Sequence, residues 1–539
     1  MNSIPKKWTV AVVTLLCLAT GAYAQDDYSS YSEMTDRLQA LESSHSDYVQ
    51  LESLTETLGG KNVWLLTLSS GDPSAKPAIA VVGGSEGSHI LGSELAVQFA
   101  EKLLNGTPGD SLESLLSRTT YYVVPRLNPD ATEQYFADLR YERNANARDT
   151  DTDRDGPVNE DGYEDLNGDG LITMMRVSDR TGDWMPHSDD PRVMVEADAS
   201  EGERGAWRIY SEGRDNDRDD AFNEDGAGGV DLNMNFTFDY PAFEPGAGAF
   251  MLTERENRAL LDFLMEEAWN TYAVVSFGPA NNLSEPISFN PGGISQRVID
   301  GWYREDTELN AIASELYNEV TRLSGGENVS GDPGDFFQWA YFHYGRLSLS
   351  TPGWWTSGES GNDQADYLAW ADGQNLDAFV PWTEISHPDF PNRTVEVGGI
   401  KPFMMHNPPY SAVDTLADKH TAFLAQLSTL QPSVEITNVE VEEAGENLTR
   451  VTVDLYNPGT LPTATRLGER TRWVRDVIAE ISLGDGLSLV SGERLSNFES
   501  IGADASERLS WLVRGSGTFS LKAGAPNTGF TTIEQSINQ

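Results

Sequence analysis

The sequence predicts an α/β fold: a mixed central sheet with helices on both faces, followed by a C-terminal β-sandwich. Three observations carry that expectation. Across residues 31–430, apolar runs of strand length alternate with stretches of helical periodicity, the pattern of a sheet buried between helices. The run 78–82 is apolar at every position, as a strand covered on both faces must be. Beyond Pro432 the chain changes to short stretches of alternating apolar and polar residues, as in sheets packed face to face. The expected organisation is a leader at 1–24, an α/β domain at 25–431 with an acidic insert at about 140–228, and a sandwich at 432–539.

In chain order, the first residues read as a secretory signal. Lys6-Lys7 precedes an apolar run to Ala19, and Ala22-Tyr23-Ala24 precedes Gln25, so cleavage is expected after Ala24. The run is short for a membrane span and no later stretch approaches one, so a secreted or periplasmic protein is expected. Cys17 is the only cysteine, which leaves the mature chain without disulfides or thiolate ligands. Met34, Leu38 and Leu41 mark one face of a helix at 31–44. A hairpin-like entry leads to a strand at 63–68, and Gly, Pro and Ser residues at 69–77 turn the chain into the central strand. Gly83-Gly84 ends that strand, and Leu95, Ala96, Phe99 and Leu103 then recur at helical spacing. Such a strand–loop–helix unit places its loop at the carboxyl end of the sheet, where open α/β proteins keep their sites. The loop carries Glu86 and His89, side chains that bind metals or move protons. A strand at 120–124 runs into Pro125-Arg-Leu-Asn-Pro-Asp130. Thr253-Glu-Arg-Glu256 has capping-box spacing and opens a helix to about 267, with Leu260, Leu261 and Leu264 inward. A strand at 272–277, a helix at 308–323 and a last helix at 412–430 complete the first domain. Sandwich strands are expected at 434–441, 449–456, 477–483, 508–513 and 517–521, and no chemistry is read there.

The unit around Glu86 resembles the zinc carboxypeptidase (carboxypeptidase A-like) family, in its bacterial secreted branch. The family's loop reads His-x-x-Glu and supplies two zinc ligands; here Glu86-Gly-Ser-His89 has the same residue types reversed. Residues 125–130 match the family's Pro-x-x-Asn-Pro-Asp. Gly229-Val-Asp-Leu-Asn-Met-Asn-Phe236 is similar to a segment whose Asn-Arg pair grips the substrate's terminal carboxylate. The planar fork of Arg suits that task; this chain keeps Asn233 but has Met234, which offers no donor. The position of the third zinc ligand, a His, holds Gly278. Residues 334–355 match a segment in which Tyr341 is implied in substrate binding. The strand after it ends, in active relatives, on a catalytic Glu; here the positions are Pro352 and Gly353, and Glu359 lies six residues on. Of Arg140, Arg143 and Arg148, Arg143 is assigned to the family's oxyanion-stabilising arginine. Residues 394–403 also resemble a family block, with Glu396 read as structural or surface. The resemblance runs over about 28–430.

The acidic insert carries a spacing of its own. Asp151, Asp153 and Asp155 begin one copy of a twelve-residue pattern, Asp215, Asp217 and Asp219 a second, and Asp165, Asn167 and Asp169 stand between them. Oxygen side chains at alternate positions with a glycine for the turn wrap a hard cation. Position twelve is Gly162, Gly226 or Arg176 in place of a bidentate Glu, with Glu160, Asp161, Glu224 and Asp225 nearby. A lone loop of this kind is usually a solvated turn; three spaced instances favour calcium in at least one. The net charge of −48 sets the chain against nucleic acid.

Catalytic zinc needs three protein ligands and an open position for water. Without it, water keeps a pKa of about 15.7 instead of about 7. The joint replacements at Glu86, His89, Met234, Gly278 and Gly353 leave no residue to assign as catalytic. Two readings stand. The first is an inactive carboxypeptidase-like protein whose old cleft binds peptide or another ligand, with Trp339, Tyr341, Trp354 and Trp355 as aromatic lining. The second is an active zinc peptidase with a rearranged site that recruits His187, His343 or His406. The sequence assigns no oligomeric state.

Overall fold

The run at 78–82 forms the strand Ala78–Gly83, buried at every position in the interior of a six-stranded sheet. The order across that sheet is Val49–Glu56, Asn62–Leu68, Thr120–Val124, Ala78–Gly83, Thr271–Phe277 and Leu347–Thr351. The first two pairings are antiparallel and the remaining three parallel, so the sheet is mixed as expected. This computed structural model describes residues 27–106, 111–150, 158, 162–216, 222–223, 228–358 and 360–538. The leader with Ala24, the acids Asp151, Asp153, Asp155, Asp217 and Asp219, and Glu359 lie outside the described residues.

Alternation along the central strand splits the core. Ile79 and Val81 pack with helices Tyr31–Ser44, Ile90–Leu104, Arg304–Thr321 and Val413–Leu427. Ala78, Ala80 and Val82 pack on the opposite face with helices Arg255–Asp262 and Phe336–Phe342. Helix Tyr31–Ser44 buries Met34, Leu38 and Leu41 and opens on a capping box between Ser30 and Glu33. The capping box expected at Thr253 does not form. Glu254 is the N-cap residue and makes no side-chain cap; its carboxylate instead takes Asn146 at 2.7 Å and Arg148 at 2.8 Å. This helix passes into a π-turn at Phe263–Glu267.

The insert is not only acidic loop. Met174–Ser178, Trp184–Pro186, Met194–Glu196 and Trp207–Ser211 join Phe379–Ile385 and Val395–Ile400 in a second six-stranded, antiparallel sheet. Arg176, read from spacing as position twelve of a cation loop, lies in this sheet. Its guanidinium sits 4.7 Å from the Trp207 ring and 4.4 Å from Trp382 and pairs with Glu396 at 2.6 Å. Stacked and paired in this way, Arg176 holds the sheet face together.

The C-terminal part is two four-stranded sheets over one core containing Val451, Ile481, Trp511, Phe519 and Leu521. All five expected strands are present. Leu487–Ser491, Leu495–Phe498 and Gly529–Ile537 were not legible, because each is largely exposed and carries little apolar alternation. The sandwich is tied to the α/β part where Thr465 Oγ1 donates to the Gly345 carbonyl at 2.9 Å, and where Arg466 and Leu467 amides donate to Asp306. Among the described residues no helix is long and apolar enough to cross a membrane.

Candidate functional site

The loop after the central strand is held from three directions. Gly84 turns it with φ +61°, and a Cβ there would stand 3.1 Å from Arg126 Cα. The amides of Leu127 and Asn128 donate to the Gly83 and Gly84 carbonyls at 3.1 and 2.8 Å, binding the Pro125–Asp130 stretch to the turn. Asn407 Nδ2 donates to the Ser88 carbonyl and its Oδ1 accepts from the Leu91 amide, both at 2.8 Å. Ser88 Oγ donates to Asn144 Oδ1 at 2.8 Å.

Within this frame Glu86 and His89 have separate partners. His89 is 4 % exposed; its Nε2–H donates to the Pro352 carbonyl at 2.9 Å. Nδ1 has no well-formed hydrogen bond, and a Cβ on Gly92 would stand 2.8 Å from it and 2.6 Å from the Phe277 carbonyl. The glycine thus makes room for the ring. Burial, with the exposed His406 nearby, pushes the imidazole down to about 4, so it is neutral at pH 7.

Glu86 Oε1 accepts from Asn233 Nδ2 at 3.0 Å, and Asn233 Oδ1 accepts from the Phe336 amide at 3.2 Å. Asp231 and Asp335 stand in the same electrostatic neighbourhood. Burial raises Glu86 to about 7 against the Asn233 hydrogen bond, with Asp332 adding repulsion. Burial and then Glu86 raise Asp231 to about 8. Asp335, N-cap of helix Phe336–Phe342, is also raised to about 8 by burial, against the Gln338 and Asp332 amides that bond it.

The remaining expected residues are dispersed. Arg143 folds back onto the carbonyls of Ala145 and Asn146. Tyr341 is fully buried, stacked on Trp302 at 3.8 Å with its hydroxyl on Asp306 at 2.7 Å, and Trp339 is 2 % exposed. Both rings belong to the core, which corrects their assignment to a cleft lining. Trp354 and Trp355 are half-buried, with Trp355 Nε1 donating to Ser324. Met234 Sδ lies 3.8 Å from the Cβ position of Gly246. A Cβ on Gly278 would meet only Ser85 Oγ, at 3.9 Å. Gly353 has φ +76°, and a Cβ there would collide with Leu95 Cδ1 at 2.4 Å. His187 accepts from the Asp189 and Asp190 amides, and His343 bonds Thr237 Oγ1 at 2.7 Å. Among the described residues no three His, Cys, Asp or Glu side chains form a metal-binding group.

In the described calcium candidate, Asp165 accepts from the amides of Gly168, Asp169 and Gly170, and Asn167 donates to Asp169 at 3.0 Å. These oxygens close a turn upon the backbone. Asp215 lies at the edge of the described residues.

A cavity of about 360 Å³ that sequence reasoning missed opens on the second sheet. Its walls include Tyr141, Tyr163, Trp184, Phe379, Trp382 and Met405. Tyr141 and Met405 stand two residues and one residue from Arg143 and His406, which flank the loop. The signal for it was the aromatic content of the insert, masked by the insert's acidity.

Residues 34–284 match the sequence profile described as zinc carboxypeptidase, and residues 433–536 match a domain of unknown function. Carboxypeptidase D of Anas platyrhynchos is 30% identical over 148 residues, covering 26% of this chain and 11% of that protein. Carboxypeptidase E of Caenorhabditis elegans is 24% identical over 134 residues, covering 23% and 28%. The chain thus spans about a tenth of the length of its carboxypeptidase D relatives. Among solved structures, bovine thrombin-activatable fibrinolysis inhibitor in complex with tick carboxypeptidase inhibitor matches at 12% identity over 75% of this chain and 97% of that one, TM-score 0.40. Carboxypeptidase A from Helicoverpa armigera matches at 14% over 65% and 72%, TM-score 0.38.

Proposed function

Because residues 34–284 place this chain in the zinc carboxypeptidase family, we propose that it uses the family's fold to bind peptide and does not cleave it. The observation that carries this reading is the commitment of His89. Its Nε2–H is used on the Pro352 carbonyl, and its Nδ1 is buried inside the protein beside Gly92. A zinc ligand must present a lone pair to an open point shared with two others. Glu86 is engaged with Asn233 among other carboxyls, and Gly278 presents no ligand atom. These residues do not fit a catalytic zinc, and no hydrolytic step is derived through one.

The cavity on the second sheet supports the binding half of the proposal. Its volume lies in the range of ligand sites, and aromatic walls with a few polar groups are the usual composition. Its charged residues are already paired: Glu142 accepts from the Phe403 amide, Arg192 pairs with Asp190 and Asp372, and Lys401 with Asp377. That leaves apolar and aromatic side chains of a peptide as the best-matched occupants. Calcium in the insert belongs to the same proposal and rests on the repeated spacing alone.

The test is hydrolysis of C-terminally free peptides with added zinc, together with binding of the same peptides to wild type and Trp382→Ala. Binding without release of terminal residues, weakened by Trp382→Ala, is expected. Zinc-dependent release by wild type, abolished in Glu86→Ala, would overturn the proposal in favour of a rearranged peptidase.

A further inference from the structure

Two exposed aromatic features stand at opposite ends of the central sheet and differ in charge. The first is the loop 239–252. Tyr240 Oη donates to the Gly248 carbonyl at 2.6 Å, Asn235 Nδ2 to the Ala247 and Phe250 carbonyls at 2.7 and 3.1 Å, and the Asp231 amide to the Gly246 carbonyl at 2.8 Å. On this braced frame Phe243 is 93 % exposed and Phe250 62 %. Phe243 stands at φ +76°, a conformation disfavoured for so bulky a side chain. Both rings line a cavity of about 720 Å³. Among its described lining residues Asp149 and Glu244 are acidic, and the one cation, Arg148, is already paired with Glu254 at 2.8 Å. Asn233, just beyond Asp231, donates to Glu86, so this groove adjoins the carboxyl end of the central strand.

The second feature is the end of helix Arg466–Thr471 in the sandwich. In a chain with 85 acidic and 37 basic residues, Arg466, Arg470, Arg472 and Arg475 fall within ten positions. Arg466 pairs with Glu469, Arg470 donates to Tyr303 Oη, and Arg475 lies 4.2 Å from the Trp269 ring. Arg472 and Trp473 are exposed, Trp473 by 41 %. Trp269 leads directly into the strand Thr271–Phe277, so this patch lies at the amino end of the parallel strands. Exposed apolar surface rimmed by charge marks a docking site, and acidic walls select a cationic occupant. A net charge of −48 opposes contact between two copies in general; the arginine cluster is where a copy offers the opposite sign. We propose that Arg472 and Trp473 of one copy of this chain dock into the groove at Phe243 and Phe250 of the next. Trp473 then packs on the two rings and Arg472 meets the acidic wall. Because the features lie at opposite ends of the sheet, the contact is head-to-tail and repeats into a row or ring of copies.

Sedimentation velocity is run on the purified protein over a concentration series at about 0.15 M salt, which screens general repulsion beyond about 8 Å. Wild type should grow past dimers as concentration rises. Phe243→Ser combined with Phe250→Ser, and Arg472→Glu on its own, should each weaken association by at least about tenfold. An equal mixture of these two variants should form dimers and stop there, since each keeps one intact face. Glu244→Arg closes the groove in a second way if the double variant does not fold. A monomeric wild type, a wild type that stops at two copies, unchanged association in either variant, or a mixture that stays monomeric would each overturn the assignment. Phosphatidylcholine vesicles bound by wild type and not by the Phe variant would overturn it too, giving the rings to a lipid surface.

Discussion

His89 donates through Nε2 to the Pro352 carbonyl across 2.9 Å and so ties the loop after the central strand to the end of the edge strand. The ring is therefore a structural cross-link between two loops. Replacing it with Ala removes the hydrogen bond and leaves a buried void. The expected cost is about 2–4 kcal/mol in urea unfolding. Metal analysis should give the same result for wild type and variant; loss of bound zinc from His89→Ala would contradict the structural role.

Glu256 gives a pH prediction of defined sign. Both carboxylate oxygens are buried without a hydrogen-bond partner among the described residues, and burial, with Glu254 and Asp130 adding repulsion, raises the group to about 7. The folded state thus binds this proton at a pH where the unfolded chain, titrating near 4.5, has released it. Stability from this group is present below about pH 4.5 and is lost as the pH rises through 7. Glu256→Gln should match wild type at pH 4.5 and exceed it at pH 8 by up to roughly 3 kcal/mol. A difference that is constant between those pH values in chemical denaturation would show that the carboxyl is not titrating there.

The fold was legible where one residue type decided it. The uninterrupted apolar run at 78–82 has no place but a covered strand, and Met34, Leu38 and Leu41 leave one helical face. The second sheet was not legible, because its short strands are half-exposed and sit among acids that dominate composition; Arg176 reads as position twelve of a cation loop until Trp207 and Trp382 close on it. At the site, the exchange at Glu86 and His89 was plain in the sequence. What it did to the ring was not: only the meeting of Gly92, Phe277 and Pro352, distant in sequence, turns the imidazole inward. Tyr341 was misplaced for the opposite reason, since an aromatic near a cleft and an aromatic in a core look alike until the Trp302 stack is seen.

Calcium is a test of the insert. The Asp165 turn satisfies its oxygens with backbone amides, so the ion is expected in the copies beginning at Asp151 or Asp215. Chelation that demonstrably removes calcium should lower the melting temperature, because clustered carboxylates then repel one another. An unchanged melting temperature after verified removal would leave the repeats as solvated turns.

The last prediction concerns what it takes to rebuild the site. Gly278→His should be tolerated, since a Cβ there meets only Ser85 Oγ at 3.9 Å. Gly353→Glu should not: φ +76° costs about 1–2 kcal/mol for a residue with a Cβ, and Leu95 blocks the side chain at 2.4 Å. The general base therefore cannot be restored where the family keeps it without repacking the helix beneath. The ligands are more accessible. With Glu86→His, His89→Glu and Gly278→His combined, three ligand types are present, and Asp231 would stand beside the new imidazole as a carboxylate that orients it, in place of repelling Glu86. This triple variant is expected to bind zinc and still release no terminal residues, because catalytic groups act as a unit and base and clamp remain absent. Adding Met234→Arg should tighten binding of a free carboxylate without speeding cleavage, since binding alone does not lower the barrier. Metal titration, peptide affinity and single-turnover hydrolysis are read on each variant. Cleavage by any single variant would show that the wild-type cleft already holds the other catalytic parts, and the binding-protein reading would fail.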